Sequence, residues 1–187
     1  PTHSYAKMLY KYPQSEFPYR WLVDENRRRS GSGTEFELLD TGIFDENRYF
    51  DIFIEYAKAD TDDIAIRLEI FNRGPEPADL HVLPHLWFRN TWGWADPAGP
   101  EPRIEQISRV DGGVCLYADD RHTRAPQNLP IEWRLGPRYL FGPAGGTILF
   151  TDNETNAPRV YGPGAQSRKP HVKDAFHRYL VDGDVDN

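Results

Sequence analysis

The sequence lacks several features that would assign a protein to a class at once. Cys115 is the only cysteine, so no internal disulfide framework can form, and this favours a reducing compartment. No apolar run approaches the roughly 20 residues that a membrane-spanning helix needs, and no basic-then-apolar leader opens the chain. The net charge of −7 argues against a general binder of the phosphate backbone. We therefore expect a cytoplasmic protein with neither a nucleic-acid nor a membrane partner.

Motifs for the common kinds of catalytic site are also missing. No serine lies in a Gly-x-Ser-x-Gly turn, and the glycines of Gly142–Gly146 are not followed by Lys-Ser or Lys-Thr. His81 and His85 would lie about 13 Å apart on a strand, too far to share a zinc ion unless the strand is broken there. The least ordinary carboxylates stand among Asn and Thr, but no apolar pocket marks any of them as a general acid: Asp152, Glu154 and Asp174. The sequence predicts no metal and no cofactor.

What the chain does have is a series of short alternating segments. In Tyr49–Ala57 and Ile64–Asn72, apolar residues recur at every second position, opposite charged ones. Leu80–Asn90 also alternates, although Pro84 in its middle has no N–H to donate to a sheet. Side chains alternate across a strand, so the three segments predict an antiparallel meander with one face against a core.

The rest of the chain predicts more strands, with helices at both ends. The 16 prolines and 15 glycines indicate many turns. Asp111–Gly113 indicates a hairpin turn, and Cys115, within an apolar strand segment, is expected to be a buried thiol. Further strand candidates are Phe36–Leu39, Arg103–Val110, Val114–Ala118, Ile131–Leu135, Arg138–Phe141, Thr147–Thr151 and Arg159–Tyr161. Helices are expected at Thr2–Tyr12, from Pro18 to Arg29, and at Val172–Leu180. This predicts a mainly β fold, an antiparallel β-sandwich forming one domain over 1–187, with a helical lead-in (1–33), the sandwich (34–162), and a C-terminal helix and acidic tail (163–187).

One stretch carries more large polar and aromatic side chains than a solvated strand face would. Its candidate site residues are Trp87, Arg89, Asn90, Trp92 and Trp94. The loop Ala95–Pro102 follows and could act as a flap. Such a row can hold a sugar, meet a partner surface, or be covered by another part of the same protein.

Several blocks together resemble a known family. They are Pro1–Tyr5 with Leu9–Gln14, Leu38–Gly42 with Arg48–Asp51, Leu83–Asn90, Thr151–Asn156 and His171–Asp174. The chain is similar to the N-terminal, non-catalytic part of bacterial glucosidase-like proteins of glycoside hydrolase family 63, in the mannosylglycerate-hydrolase-like group. The resemblance implies a β-sandwich that precedes an (α/α)6 barrel, with the catalytic carboxylates in that barrel.

The resemblance therefore implies a fragment of a longer α-glucosidase-like enzyme of carbohydrate metabolism. The expected partner is the (α/α)6 catalytic domain of the same parent chain, and an oligosaccharide is a further candidate. No catalytic residue is expected in this chain, and the fragment alone is expected to be inactive. Two alternatives stay open, a carbohydrate-binding module that uses Trp87, Trp92 and Trp94, and a protein-interaction domain that uses the same stripe.

Overall fold

The structure is a computed structural model that describes residues 3–29, 31, 33–94, 98–108, 111–123 and 134–185. The chain divides into two compact units, Pro1–Val82 and Leu83–Asn187. Each unit contains one three-stranded antiparallel sheet. The described part of the chain is therefore mainly β, as predicted.

The sheet of the first unit is built from strands β1 (Tyr5–Pro13), β2 (Tyr49–Asp60) and β3 (Asp63–Asn72) in the order β1-β2-β3. The predicted pairing of β2 with β3 is confirmed, with Ile54 opposite Leu68. Met8 lies on the other side of Ile54. A sheet face is thus apolar across all three strands.

The helix predicted at Thr2–Tyr12 is wrong, because Tyr5–Pro13 forms β1. Its apolar residues fit a helical spacing, but its two lysines are four residues apart and fall on one face of a strand. Lys7 lies opposite Glu55, and Lys11 lies opposite Asp51. Pairing opposite charges across neighbouring strands stabilises the strand, and no helix offers these partners.

The third strand predicted at Leu80–Asn90 is also wrong. Residues 77–91 have no regular secondary structure. Pro84 has no N–H to donate to a ladder, and the described sheet ends at β3 without a further strand from this segment. The side chains of Trp87 and Arg89 consequently do not lie on the face of a sheet.

Helix α1 (Tyr19–Arg29) follows Pro18, as predicted, and its last turn carries Arg27–Arg29. Arg28 and Arg29 both pair with Glu25 on the same helix, so these cations are partly balanced by a carboxylate within α1.

The strand predicted at Phe36–Leu39 is wrong, because a 3-10 helix runs over Leu38–Thr41. At its start, Asp40 Oδ2 accepts a hydrogen bond from Glu37 N at 2.8 Å. Gly42 ends it with a φ of 68°. Local side-chain-to-backbone bonds therefore outweigh the short apolar pattern.

The sheet of the second unit contains β4 (Arg103–Gln106), β5 (Val114–Asp119) and β6 (Arg138–Gly142), in that order. β4 falls within a predicted segment, and β5 and β6 each run one residue beyond theirs. The predicted turn at Asp111–Gly113 joins β4 to β5, and Gly112 adopts a φ of 72° there.

The remaining predictions for this unit have mixed outcomes. Thr147–Thr151 forms no strand. Arg159–Tyr161 belongs to helix α2 (Ala157–Tyr161), because Asn156 caps the backbone and Pro158 suits a first turn. Helix α3 (Ala175–Val181) confirms the helix predicted near the C-terminus. Parts of Arg103–Val110, Ile131–Leu135 and Ala95–Pro102 lie outside the described residues.

Few side chains of the described chain are buried, and they belong to small local cores. The buried apolar residues are Phe36, Phe50, Cys115, Ala118, Val172 and Ala175. Among the described residues, no helix is both long and apolar enough to cross a membrane.

Candidate functional site

The predicted site residues lie in an irregular segment in which Asn90 and Trp92 are half-buried. Trp87 is 66% exposed, and Arg89 is also exposed. Trp92 begins a short 3-10 turn, Trp92–Trp94, and its backbone oxygen accepts a hydrogen bond from Gly99 N at 3.0 Å. The side chain of Trp94 lies outside the described part of the structure.

Asn90 ties this segment to a second part of the unit. Its Nδ2 donates to the backbone oxygen of Asn153 at 2.7 Å, and its Oδ1 accepts from Gly93 N at 3.0 Å. Asn153 Nδ2 donates in return to the backbone oxygen of Phe88. Asn90 was predicted as a ligand or interface residue, but both ends of its side chain serve the local fold.

A second connection joins the blocks at 151–156 and 171–174. Asp152 N donates to the backbone oxygen of His171, and Lys173 N donates to the backbone oxygen of Glu154 at 3.0 Å. The fold therefore brings together three of the sequence blocks, Leu83–Asn90, Thr151–Asn156 and His171–Asp174.

The segment between α2 and His171 is also bonded to this part of the unit, through Ser167. Ser167 Oγ donates to the backbone oxygen of Thr155 at 3.2 Å and accepts from Ala157 N at 3.0 Å. These contacts surround an open cleft of about 440 Å³. Its lining is mostly polar and includes Asn90, Gly93, Asn153, Glu154, Thr155, Ala157, Tyr161, Gln166, Ser167, Arg168 and Lys173.

Each of the carboxylates considered in the sequence lies near a cation. Glu154 Oε1 is 3.7 Å from Arg168 Nε, and the Glu154 side chain is only 11% exposed. Asp152 pairs with Lys169 at 3.3 Å. Asp174 pairs with Arg159 at 3.3 Å. This is ion pairing, and it gives no sign of the apolar pocket that a general acid needs.

Lys169 connects the cleft region to the loop before β4. Its Nζ lies 2.6 Å from Glu101 Oε2 and 3.3 Å from Asp152 Oδ1. The hydrogen bond to Glu101 raises the pKa of Lys169, and Asp152 adds to the effect. Lys169 is therefore fully charged at neutral pH and holds two acidic segments together.

The other chemical candidates do not form sites. Cys115 is 1% exposed in the middle strand β5, which confirms the prediction of a buried thiol. Over the described ranges, no group of three His, Cys, Asp or Glu residues could hold a metal ion.

Sequence reasoning missed most of the cleft. Gln166 and Arg168 follow no periodic pattern and belong to no motif, and Gly93 attracted notice only as a neighbour of tryptophans. The sequence did single out two lining residues, Asn90 beside tryptophans and Glu154 among Asn and Thr, and the blocks at 151–156 and 171–174 carried the family resemblance.

Comparison with known proteins identifies a relative of unestablished function. Over an alignment 211 positions long, the chain is 33% identical to an uncharacterized protein of Saccharomyces cerevisiae, YMR196W. The alignment covers 100% of this chain and 19% of the yeast protein, so the chain spans a small part of that relative's length. No family model matches the chain, and no solved structure matches it.

Proposed function

We propose that this chain is an accessory β-domain of a larger glycoside hydrolase, α-glucosidase-like and related to family 63, whose catalytic carboxylates lie in an (α/α)6 barrel elsewhere in the protein. In this proposal the domain packs on the barrel and helps to shape it, and it has no hydrolytic activity by itself. The single cysteine, buried and unpaired, fits a cytoplasmic parent enzyme.

The observation that carries the proposal is the uncovered apolar face of the first sheet. Phe50 is buried on this face, but eight other large side chains are between 38% and 55% exposed: Met8, Tyr10, Tyr12, Tyr56, Ile64, Ile66, Leu68 and Ile70. Soluble monomers rarely expose a contiguous apolar patch of this kind, and those that do use it for binding. The face is therefore a surface that another layer covers in the complete protein.

The opposite face of the same sheet is more polar. Glu55 accepts hydrogen bonds from Tyr5 at 2.6 Å and from Arg67, and it pairs with Lys7 at 3.1 Å. Asp51 lies 2.6 Å from Lys11 and 2.7 Å from Arg73. Asp51 and Glu55 are buried beneath the cations that pair with them. Leu9 and Phe71 are exposed on the same face, but its charged pairs make it the more polar of the two, so the layer that completes a sandwich belongs on the apolar side.

The sequence blocks that carry the family resemblance support a structural role. In the first unit, Gln14 N donates to the backbone oxygen of Arg48 at 3.0 Å, which joins two of the blocks. In the second unit, the blocks join through Asn90, Asn153 and Asp152, as described above. These residues hold the fold together, as expected of an accessory domain.

The length of the yeast relative is consistent with this proposal. Its aligned part is 19% of its length, which leaves ample chain for a catalytic barrel. The activity, substrate and linkage of the parent enzyme are part of the proposal.

The test compares this chain with the full-length protein. On synthetic α-glucosides, we expect turnover by the full-length protein and none by this chain. Turnover by the chain alone, surviving repurification, would overturn the accessory role.

A lysine on the apolar face tests the covering layer. We expect Ile66→Lys to change the unfolding midpoint of this chain little, because Ile66 is already 50% exposed. In the full-length protein the same change should cost several kcal/mol, on the order of 2 to 5, because it buries a charge. Val181→Lys is the control, since Val181 is 75% exposed outside the sheet. Equal effects of Ile66→Lys in both proteins would contradict the sandwich.

A second candidate is a carbohydrate-binding module, favoured by the exposure of Trp87. Titration with glucose, maltose and mannosylglycerate should then change the tryptophan fluorescence, and Trp87→Ala should abolish the change. A third candidate, an interaction domain that forms dimers through its apolar face, predicts a mass that rises with concentration in sedimentation. Ile66→Lys should then restore the monomer.

A further inference from the structure

We propose that the cleft of the second unit binds a small polyhydroxylated anion, meaning a hydroxylated carboxylate or a phosphorylated polyol. This inference concerns the cleft alone and does not rest on the chain being part of a glycosidase. It also differs from sugar stacking on tryptophan, because it uses donors and cations.

The walls of the cleft are fixed by side chains whose hydrogen-bonding groups are already used. Asn90 and Asn153 each bond to the backbone of the other's segment. Ser167 bonds to both Thr155 and Ala157. These contacts join segments 63 and 65 residues apart, so the cleft is set before any ligand arrives.

Other lining groups keep their hydrogen-bonding capacity. Within the described residues, the side chains of Tyr161, Gln166 and Lys173 have neither a hydrogen bond nor an ion pair, and all three line the cleft. Arg168 Nε is 3.7 Å from Glu154, beyond hydrogen-bond distance, so the guanidinium keeps donors for a ligand.

The charge of the lining defines the ligand. Arg168 and Lys173 supply two cations, and Glu154 is the one carboxylate among the described lining residues. A net positive cleft in a chain of charge −7 favours an anion. The amide of Gln166, the hydroxyl of Tyr161 and the sheltered carboxylate of Glu154 suit ligand hydroxyl groups, which both donate and accept.

Because Gly93 has no side chain, the guanidinium of Arg168 can lie close to its backbone. A Cβ at this position would lie 3.1 Å from Arg168 Nη2 and 3.1 Å from Asn90 Oδ1. Gly164 is the matched control, because a Cβ there meets no atom within 4 Å.

Calorimetric titration of this chain tests the proposal with gluconate, glucose 6-phosphate, neutral glucose and inorganic phosphate. We expect the two charged polyols to bind with Kd values on the order of millimolar, at least about tenfold tighter than glucose or phosphate. Glucose binding as tightly would overturn the anionic requirement. Phosphate binding as tightly would show an adventitious ion only, and no binding of the charged polyols would overturn the proposal as a whole.

Variants then locate the binding. Arg168→Gln and Lys173→Gln should each weaken both charged polyols at least about tenfold. Arg20→Gln, the same charge change on α1, should not. Gly93→Ala should weaken binding and Gly164→Ala should leave it unchanged, with circular dichroism confirming that each variant is folded. Unchanged affinity in folded Arg168→Gln would place the ligand elsewhere and overturn the site.

Discussion

Tyr5 Oη donates a 2.6 Å hydrogen bond to Glu55 Oε1, although the two residues are 50 positions apart in the chain. The bond crosses from β1 to β2, and Arg67 approaches the other oxygen of Glu55 from β3. Glu55 is therefore the point at which all three strands of the first sheet meet through side chains. Its residue exposure is 8%, which is low for a carboxylate.

The first prediction concerns pH. The hydrogen bond from Tyr5, followed by those from Lys7 and Arg67, lowers the pKa of Glu55 from 4.5 to about 2. The folded chain thus binds this proton less tightly than the unfolded chain. Glu55 stabilises the fold fully above about pH 4.5, and its contribution is lost as pH falls towards 2. The free energy of unfolding, measured by urea titration followed by circular dichroism, should decrease over this range.

Glu55→Gln should make this decrease shallower. Glu16→Gln is the control, because Glu16 is exposed and lies outside the sheet. If both variants follow the wild-type pH profile, the Glu55 cluster does not contribute to acid stability.

The second prediction concerns the end of the 3-10 helix. Gly42 has a φ of 68°, and a Cβ there would lie 2.7 Å from Asp45 Oδ2. Gly42→Ala should therefore destabilise the first unit by about 1 kcal/mol or more. Gly33→Ala should be nearly neutral in the same urea titration, because Gly33 has open space around it. Equal stability of the two variants would contradict the steric argument.

The elements that the sequence predicted well are those whose pattern admits one interpretation. Strand β2 alternates isoleucines with Asp51 and Glu55, and only a period of two fits that order. In β1, Tyr5, Met8, Leu9 and Tyr12 fit a helical spacing as well, and the deciding partner lies about 45 positions away. The residues near β1 in the sequence therefore do not show whether this segment forms a helix or a strand.

The cleft was less predictable for a similar physical reason. It is held by bonds from side chains to the backbone, such as Asn90 to Asn153, and these depend on no spacing. Asn90 was selected for its place beside tryptophans, whereas the structure gives it a positioning role. Cys115 was placed correctly because a small apolar side chain within an apolar strand belongs inside a sheet.

The third prediction follows from that burial. Cys115 is 1% exposed, so an aromatic disulfide reagent should modify it only when β5 opens. We expect modification of the folded chain to be slower than in concentrated urea by on the order of a hundredfold or more. The control is Val181→Cys in a Cys115→Ala background, which places a thiol at a position that is 75% exposed. Equally fast reaction of the native chain would mean that the second sheet opens readily.

The last prediction concerns Asn156, which caps α2. Two residues of this helix, Ala157 and Tyr161, line the cleft. Asn156 Oδ1 accepts from Arg159 N at 3.2 Å, and its Nδ2 lies 3.3 Å from both carboxylate oxygens of Asp174. Asn156→Ala removes both contacts and should destabilise the second unit by about 1 to 2 kcal/mol. Asn156→Ser keeps an acceptor for the cap and should recover part of that loss. Because α2 positions Tyr161, the alanine variant should also make the 157–161 backbone exchange its amide protons faster, and an unchanged exchange rate would show that the cap does not hold the helix.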